Sequence, residues 1–182
     1  MDNNSQLKSK LFSTPMLKVF DFLLQHPDVE LNDTEIDERI ADVKKSAVNL
    51  ALRSLSDLGI VERTNRGRMV FNKLIESPLT SHFRVASNLM QIKPLVDELI
   101  PLSIKIVLFG SMAAGANTSK SDYDLLIVTT QPDDVRKVAR KYELSERLQL
   151  IVKSPEQMLT LEQDEPVFFR QVKEGIELWQ RQ

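Results

Sequence analysis

Apolar residues in the first third of the chain recur at the spacing of a helix in three separate stretches. They predict helices over residues 15–25, 33–41 and 44–58. Asn32, followed three positions later by a glutamate, is a typical helix start for the second of them. Gly59 is well placed to end the third helix, because glycine readily adopts the left-handed conformation found at helix ends. The first third of the chain is therefore predicted to be largely helical.

The pattern then changes to two short strands that flank a turn. Residues 60–64 and 69–72 are predicted to form a hairpin around Asn65-Arg66-Gly67, with glycine at the turn. Three helices followed by a basic hairpin resemble the winged helix-turn-helix family of DNA-binding domains. The resemblance covers roughly residues 12–75 and rests on the order of the elements and on the segment LRSLSDLGIVERTNRGRMVF. It implies that the second helix of the motif enters the major groove and that the hairpin touches the DNA backbone or minor groove.

Charge is segregated along the same region. Residues 21–42 hold eight acidic side chains and one basic one, whereas residues 43–73 hold seven basic and two acidic ones. The basic stretch favours double-stranded DNA as a partner. The candidate DNA-binding residues are Lys44, Lys45, Ser46, Asn49, Arg53, Arg63, Arg66 and Arg68. The alternative is a module that contacts a protein or mediates dimerisation, because the acidic helix would repel phosphate if it lay near the duplex.

A long helix with many apolar positions is predicted to follow. It starts at Ser77-Pro78 and occupies the 77–100 segment, with Pro94 expected to kink or split it. We place the domain boundary at its start, so that residues 1–76 form the winged helix-turn-helix domain and residues 77–182 the second domain. The helix is interpreted as a bridge between the domains. The alternative is that it mediates dimerisation. Because many winged-helix proteins bind DNA as dimers, we expect a homodimer.

Beyond this helix, two runs of apolar residues predict buried strands. Residues 104–109 form the first run and lead into Gly110-Ser111, and residues 125–128 form the second, directly after Asp122 and Asp124. Residues two apart in a strand project on the same face, so both carboxylates point the same way, beside the glycine turn. Two carboxylates on one face are suited to holding Mg²⁺ through oxygen. The alternative is that these aspartates only cap a turn before the strand.

The segment IVLFGSMAAGANTSKSDYDLLIV is similar to the signature of the polymerase-beta nucleotidyltransferase superfamily. That signature is a hydrophobic strand, Gly-Ser, about ten residues, and Asp-x-Asp entering another strand. The resemblance covers roughly residues 80–180 and is closest to the small stand-alone members. It implies an α+β fold with a small mixed sheet and flanking helices, and transfer of NMP from an NTP to a hydroxyl acceptor with Mg²⁺ or Mn²⁺. The roles implied are catalysis for Gly110, Ser111, Asp122 and Asp124, nucleotide binding for Gly110, Ser111, Lys120 and Ser121, and metal binding for Asp122 and Asp124.

The last part of the chain is predicted to hold a helix over 133–142 and a strand over 148–152. A C-terminal segment follows, whose apolar residues are expected to cover the sheet. These residues are Phe168, Phe169, Val172, Ile176 and Trp179.

The family pattern is incomplete in this chain. The family usually places a third carboxylate on a following strand, where this chain has Gln149. An amide can accept a hydrogen bond but cannot deprotonate an acceptor hydroxyl. Many small members also carry arginine where Met112 and Ala114 stand, a loss for which Lys120 could partly substitute. A second hypothesis is therefore a DNA-binding transcription regulator whose nucleotidyltransferase domain senses a nucleotide or binds a protein partner.

Composition excludes several other classes of protein. Of the 182 residues, 42% are hydrophobic and 27% charged, which is typical of a globular rather than a disordered chain. With no cysteine, neither a disulfide framework nor a thiolate metal site is possible. No apolar run approaches the ~20 residues that span a bilayer, and the polar residues 1–10 lack the character of a signal peptide. We therefore expect a cytoplasmic protein with no membrane contact.

Overall fold

The computed structural model describes residue 8 and residues 11–181, except for the side chain of residue 143. Most of the polar stretch over residues 1–10 lies outside the described residues. The chain divides into two compact units, residues 1–87 and 88–182. The predicted boundary after residue 76 remains a prediction, since the division falls inside a continuous helix. In the part of the chain that the structure describes, no helix combines the length and the apolar character needed to cross a membrane.

In its described residues, the first unit contains three complete helices and a small antiparallel sheet. In chain order its elements are α1 (Pro15–Gln25), β1 (Leu31–Asn32), α2 (Asp33–Arg39), α3 (Lys45–Asp57), β2 (Val61–Arg66) and β3 (Met69–Leu74). The strands pair in the order β1-β3-β2. The three predicted helices and the hairpin are confirmed, with no end shifted by more than two residues.

Local signals in the sequence explain where these elements begin and end. The Asn32 side chain accepts hydrogen bonds from the first turn of α2, and the Glu35 side chain accepts one from the Asn32 backbone, which completes a capping box. Gly59 has a φ of +69°, as predicted for the residue that follows α3. Apolar residues of the three helices form one buried core, in which Leu24, Ile36 and Leu52 are fully enclosed.

A single long helix, α4 (Pro78–Leu99), runs across the division between the two units. Pro94 lies within it and does not split it. Proline removes one backbone donor, which leaves a carbonyl of the preceding turn without its helical partner. The Pro94 carbonyl itself accepts a hydrogen bond of 3.0 Å from the hydroxyl of Tyr142.

The second unit is a four-stranded mixed sheet with helices on it. Its strands are β4 (Lys105–Phe109), β5 (Tyr123–Val128), β6 (Leu148–Lys153) and β7 (Ile176–Gln180), in the order β6-β5-β4-β7. Strands β5 and β6 are parallel, and β4 is antiparallel to both β5 and β7. The helices are α5 (Gly110–Ala114), α6 (Pro132–Ala139), α7 (Pro155–Asp164) and α8 (Pro166–Lys173), with 3₁₀ turns at Ile100–Leu102 and Glu143–Arg147. The predicted α+β class with a small mixed sheet is confirmed.

Both faces of this sheet are covered. Alternate residues of β4 and β5 pack on one face against α4, in a core that includes Leu99, Ile106 and Leu125. Val107, Phe109 and Leu126 pack on the opposite face, against α8. Of the C-terminal residues predicted to cover the sheet, Val172 is buried and Phe168, Phe169, Ile176 and Trp179 are partly buried. The sequence did not predict β1, α7, α8 or β7, and the helix predicted over 133–142 ends at residue 139.

Candidate active site

The turn between β4 and α5 brings the backbone close to an acidic side chain. Gly110, the first residue of α5, has a φ of +70°, a conformation that residues with a Cβ rarely adopt. A Cβ added at this position would collide with the Oδ2 atom of Asp124. A side chain at position 110 would therefore be strained by the backbone conformation and would displace the Asp124 carboxylate.

Two carboxylates flank the start of β5. Asp122 is exposed and precedes the strand, whereas Asp124 is its second residue and is half-buried. Burial, followed by the charge of the nearby Asp122, raises the pKa of Asp124 above its ordinary value of 3.8. Tyr123 between them is fully buried on the opposite side. Asp122 lies outside the strand, so the shared face of the two carboxylates remains a prediction.

The neighbours of Asp124 in the sheet are fixed by the strand register. Asp124 lies opposite Phe109 on the antiparallel strand β4 and beside Gln149 on the parallel strand β6. Gln149 thus stands at the predicted third position and is exposed. Among the described residues, no group of three His, Cys, Asp or Glu side chains could hold a metal ion together. The carboxylates that lie close together beside the Gly110 turn are those of Asp122 and Asp124.

A cleft of about 330 Å³ opens beside Asp124. Its walls come from the β4–α5 turn, from strands β5 and β6, and from α8 with the residue that follows it. The lining residues are Phe109, Gly110, Ala113, Ala114, Asp124, Gln149, Ile151, Phe168, Gln171 and Glu174. Of the site residues predicted from the sequence, Gly110 and Asp124 line this cleft, whereas Ser111, Lys120, Ser121 and Asp122 do not.

The loop before β5 is held by its own hydrogen bonds. The Ser121 hydroxyl accepts a hydrogen bond of 2.9 Å from the backbone N–H of Thr118, and Lys120 is exposed in the same turn. Arg147, the residue before β6, donates from Nη2 to the Ser121 carbonyl at 2.7 Å. Since Ser121 directly precedes Asp122, this hydrogen bond fixes the position of the backbone next to Asp122. Arg147 carried no signal in the sequence that would have linked it to the loop.

The second candidate surface lies in the first unit, on α3 and the hairpin. Lys44, Lys45, Ser46 and Arg53 are exposed on and just before α3, and Arg68 is exposed at the hairpin turn. Lys44, Lys45, Arg53 and Arg68 make no ion pair with any described residue. Asn49 is half-buried, and its side-chain amide donates to the carbonyl of Lys45 at 3.2 Å.

Two of the predicted DNA-binding arginines are instead paired with carboxylates of the same unit. Arg63 donates from Nη2 to both carboxylate oxygens of Asp33, at 3.0 and 2.8 Å. Arg66 makes two hydrogen bonds with Glu30, at 2.7 and 2.8 Å, and its guanidinium lies 5.0 Å from the centre of the Phe71 ring. The acidic and basic segments seen in the sequence thus partly neutralise each other when the unit folds.

Comparison with known families identifies the second unit. The family model described as "Polymerase beta, Nucleotidyltransferase" matches residues 85–182, which is more than half of the chain. The chain belongs to the polymerase beta nucleotidyltransferase family. The matched region contains the whole cleft, from Phe109 to Glu174.

Comparisons with individual proteins add little to this assignment. No curated protein matches the chain. A protein from Sulfolobus solfataricus assigned as a nucleotidyltransferase is 22% identical, with a TM-score of 0.36, over 59% of this chain and 90% of that one. The archaeal chromatin protein TrmBL2, whose structure shows a novel mode of DNA binding, is 13% identical, with a TM-score of 0.32, over 92% of this chain and 76% of that one. Scores at this level do not establish a shared fold.

Several cleft residues of this nucleotidyltransferase domain lie outside the sequence motif. Phe168, Gln171 and Glu174 reach the site from the C-terminal part of the chain. Phe168 and Val172 were predicted as core residues, and their spacing also indicates a helix with one apolar face. Nothing in that pattern indicates that the C-terminal end of this helix lines the same cleft as Gly110.

Proposed function

We propose that this chain is a Mg²⁺-dependent nucleotidyltransferase that transfers NMP from an NTP to a hydroxyl acceptor. The observation that carries the proposal is the close approach of Gly110 to Asp124, beside Asp122. The missing Cβ lets the Asp124 carboxylate approach the start of α5, so a cation held by Asp122 and Asp124 would lie beside the turn that would receive the triphosphate. Family membership supports the same reaction class.

The donor set fits Mg²⁺, or Mn²⁺ in its place. Mg²⁺ is usually bound by one or two carboxylates together with substrate phosphates, so a third carboxylate is not required to hold it. The raised pKa of Asp124 has the charge of Asp122 as one cause, and a cation bound between the two would relieve that repulsion. When bound, the cation would neutralise charge on the triphosphate.

The remaining residues of the motif would hold the nucleotide. We assign the Ser111 hydroxyl, the Lys120 ammonium group and the Ser121 segment to contacts with phosphate oxygens. Lys120 is exposed in the loop that leads to Asp122, and from there it would extend toward the triphosphate. It would supply part of the positive charge that arginine provides at the positions of Met112 and Ala114 in many family members.

We further propose that the first unit is a winged helix-turn-helix that binds double-stranded DNA. The order of α1, β1, α2, α3 and the β2–β3 hairpin supports this assignment. Helix α3 would enter the major groove, with Lys44, Lys45 and Arg53 on phosphates and Ser46 and Asn49 near base edges. Arg68 at the hairpin turn would contact the phosphate backbone of the DNA. Arg63 and Arg66 would bind DNA only by leaving Asp33 and Glu30.

Transfer of labelled NMP tests the enzymatic proposal. The chain is incubated with each α-labelled NTP, Mg²⁺, and glycerol or total tRNA as hydroxyl acceptors. We expect label transfer and pyrophosphate release by the wild type, and at least a 100-fold lower rate for Asp122→Ala/Asp124→Ala. Asp133→Ala/Asp134→Ala is the matched control, because it also removes two carboxylates, both exposed on α6, and should keep the wild-type rate. Equal rates for the two double variants would contradict the proposal.

A second candidate function is a DNA-binding transcription regulator in which the nucleotidyltransferase domain senses a nucleotide or binds a protein partner. The amide of Gln149 beside Asp124 favours it, because the described residues offer no third clustered carboxylate. This reading predicts DNA binding that changes with Mg-NTP and no label transfer to any acceptor. A cytoplasmic location and a homodimer are compatible with both functions.

A further inference from the structure

We propose that Glu174 is the general base of the reaction. The proposal rests on the transfer function proposed above. Glu174 lines the same cleft as Gly110 and Asp124, although it is 50 residues further along the chain than Asp124. It caps the C-terminal end of α8, where its backbone N–H donates to the carbonyl of Arg170 at 3.0 Å.

The chain after α8 is pressed against β4, which brings Glu174 to the cleft. Gly175 follows Glu174, and a Cβ at that position would lie 2.6 Å from the carbonyl oxygen of Leu108 and 2.9 Å from a methyl carbon of Val107. Only glycine permits such an approach without a shift of the backbone. Phe168 packs edge-on against Phe109, with ring centres 5.5 Å apart, and anchors the other end of α8. These two contacts hold Glu174 beside the strand that leads into Gly110.

The other polar residues of the cleft are unsuited to accepting a proton. Gln149 and Gln171 carry amides, which do not act as bases at neutral pH. Asp124 is assigned to the cation. Among the described residues that line the cleft, Glu174 is the one remaining carboxylate. It therefore supplies the chemical group that the sequence lacks at position 149, from a different element of the fold.

The step follows from this placement. The oxygen of the acceptor hydroxyl forms a bond to the α-phosphorus of the NTP, and its proton passes to the Glu174 carboxylate. The bond between the α-phosphorus and the oxygen that bridges to the β-phosphorus breaks. Pyrophosphate leaves with that electron pair, and the acceptor carries the NMP. A base must lie within hydrogen-bond reach of the proton that it takes, which directs the acceptor to the α8 side of the cleft.

Glu174→Gln tests this role, because it removes the proton acceptor and keeps the shape of the side chain. We expect the Kd for Mg-NTP to stay within about twofold of the wild type and the transfer rate to fall by about 10²–10⁴-fold. Glu162→Gln, a matched change of an exposed carboxylate on α7, should leave both values unchanged. Gln149→Glu in the Glu174→Gln background should recover at least about tenfold of the lost rate, because it returns a carboxylate beside Asp124.

The outcomes separate this inference from the proposed function. A transfer rate in Glu174→Gln within about threefold of the wild type would overturn the role of Glu174 alone. So would a Glu174→Gln variant that loses Mg-NTP binding while its circular dichroism is unchanged. A Gln149→Glu change that restores nothing would also count against it. A wild type that fails to bind Mg-NTP, or that binds it and transfers nothing, would overturn the proposed function together with this role.

Discussion

At the scale of single residues, Gly59 and Gly110 share a left-handed backbone conformation, but only Gly110 lies at the candidate active site. Gly59 and Gly110 have φ values of +69° and +70°, but a Cβ at Gly59 would meet no atom within 4 Å, whereas one at Gly110 would strike Asp124. Gly59→Ala should therefore cost about 1–2 kcal/mol of unfolding free energy through backbone strain alone. Gly110→Ala should cost more and should also abolish Mg-NTP binding. Urea denaturation and nucleotide titration of both variants measure this difference, and nucleotide binding that survives in Gly110→Ala would contradict the account.

The raised pKa of Asp124 predicts that this residue destabilises the metal-free protein. Burial and the charge of Asp122 raise the pKa of Asp124 above 3.8. In the pH window just above 3.8, the folded protein therefore binds more protons than the unfolded protein does. Stability is lost across that window, and the loss persists at neutral pH. Asp124→Asn should therefore raise the unfolding free energy at pH 7 by less than about 1 kcal/mol, because the side chain is half-exposed and its charge is screened.

Urea denaturation in EDTA over a pH series checks this prediction. The advantage of Asp124→Asn should shrink toward zero below pH 3.8, where the carboxyl is protonated in both states. Asp122→Asn should stabilise the protein less, because burial contributes more than the Asp122 charge to the raised pKa. A variant Asp124→Asn that is less stable than the wild type at pH 7 would show that the carboxylate is favourably bound in the metal-free protein.

At the scale of elements, the sequence predicts those that are set by local pattern. Helices α1, α2 and α3 follow from apolar spacing and from caps such as Asn32, and the β2–β3 hairpin follows from its glycine turn. Strands β4 and β5 follow from uninterrupted apolar runs, because both faces of the sheet are covered. These signals lie within a few residues of the structure that they determine.

Features that depend on distant partners could not be predicted in this way. Strand β1 is two residues long and exists because Leu31 and Asn32 pair with β3, about 40 residues away. The ion pairs of Arg63 with Asp33 and of Arg66 with Glu30 likewise join segments that the sequence shows only as separate charge runs. In the candidate site, the Gly-Ser turn and Asp-x-Asp could be predicted together because they lie on neighbouring strands. Glu174 could not, because its position depends on how α8 packs against β4.

The ion pair between Asp33 of α2 and Arg63 of the hairpin is expected to stabilise the first unit. The side chains of Arg63 and Asp33 are 14% and 20% exposed, and Asp33 also accepts a hydrogen bond of 2.8 Å from the fully buried Asn72. Asp33→Ala would leave both partners poorly satisfied, so we expect a loss of about 3–5 kcal/mol in unfolding free energy. Glu30→Ala should cost less than about 1 kcal/mol, because the side chain of its partner Arg66 is 55% exposed. Equal losses in thermal or urea denaturation would contradict this ranking.

At the scale of the whole molecule, the two units carry different kinds of candidate surface. The first has exposed basic residues on α3 that make no ion pair with any described residue, and the second has a cleft lined by Asp124 and Glu174. If α3 binds DNA, Lys45→Ala/Arg53→Ala should weaken binding to a fluorescent mixed-sequence duplex. The slope of log affinity against log salt should fall in magnitude by about 1–2, because each lost phosphate contact contributes about 0.9.

Two further double variants make this DNA prediction specific. Lys137→Ala/Arg140→Ala removes two exposed basic residues from the C-terminal end of α6, one within the helix and one directly after it, and should leave the salt slope unchanged. Asp122→Ala/Asp124→Ala should also retain DNA affinity when no nucleotide is present. If the α3 and α6 variants weaken binding equally, the interaction depends on overall charge and α3 is not the contact surface.

The proposed activity depends above all on a nucleotide site at Gly110, Asp122 and Asp124. Calorimetric titration of the full chain with each NTP, with and without Mg²⁺, measures this directly in the wild type and in Asp122→Ala/Asp124→Ala. We predict Mg²⁺-dependent binding of at least one NTP by the wild type, with a Kd between about 1 μM and 1 mM, and loss of that binding in the double variant. Absence of binding of every NTP to the wild type, or equal binding by the double variant, would contradict the central claim.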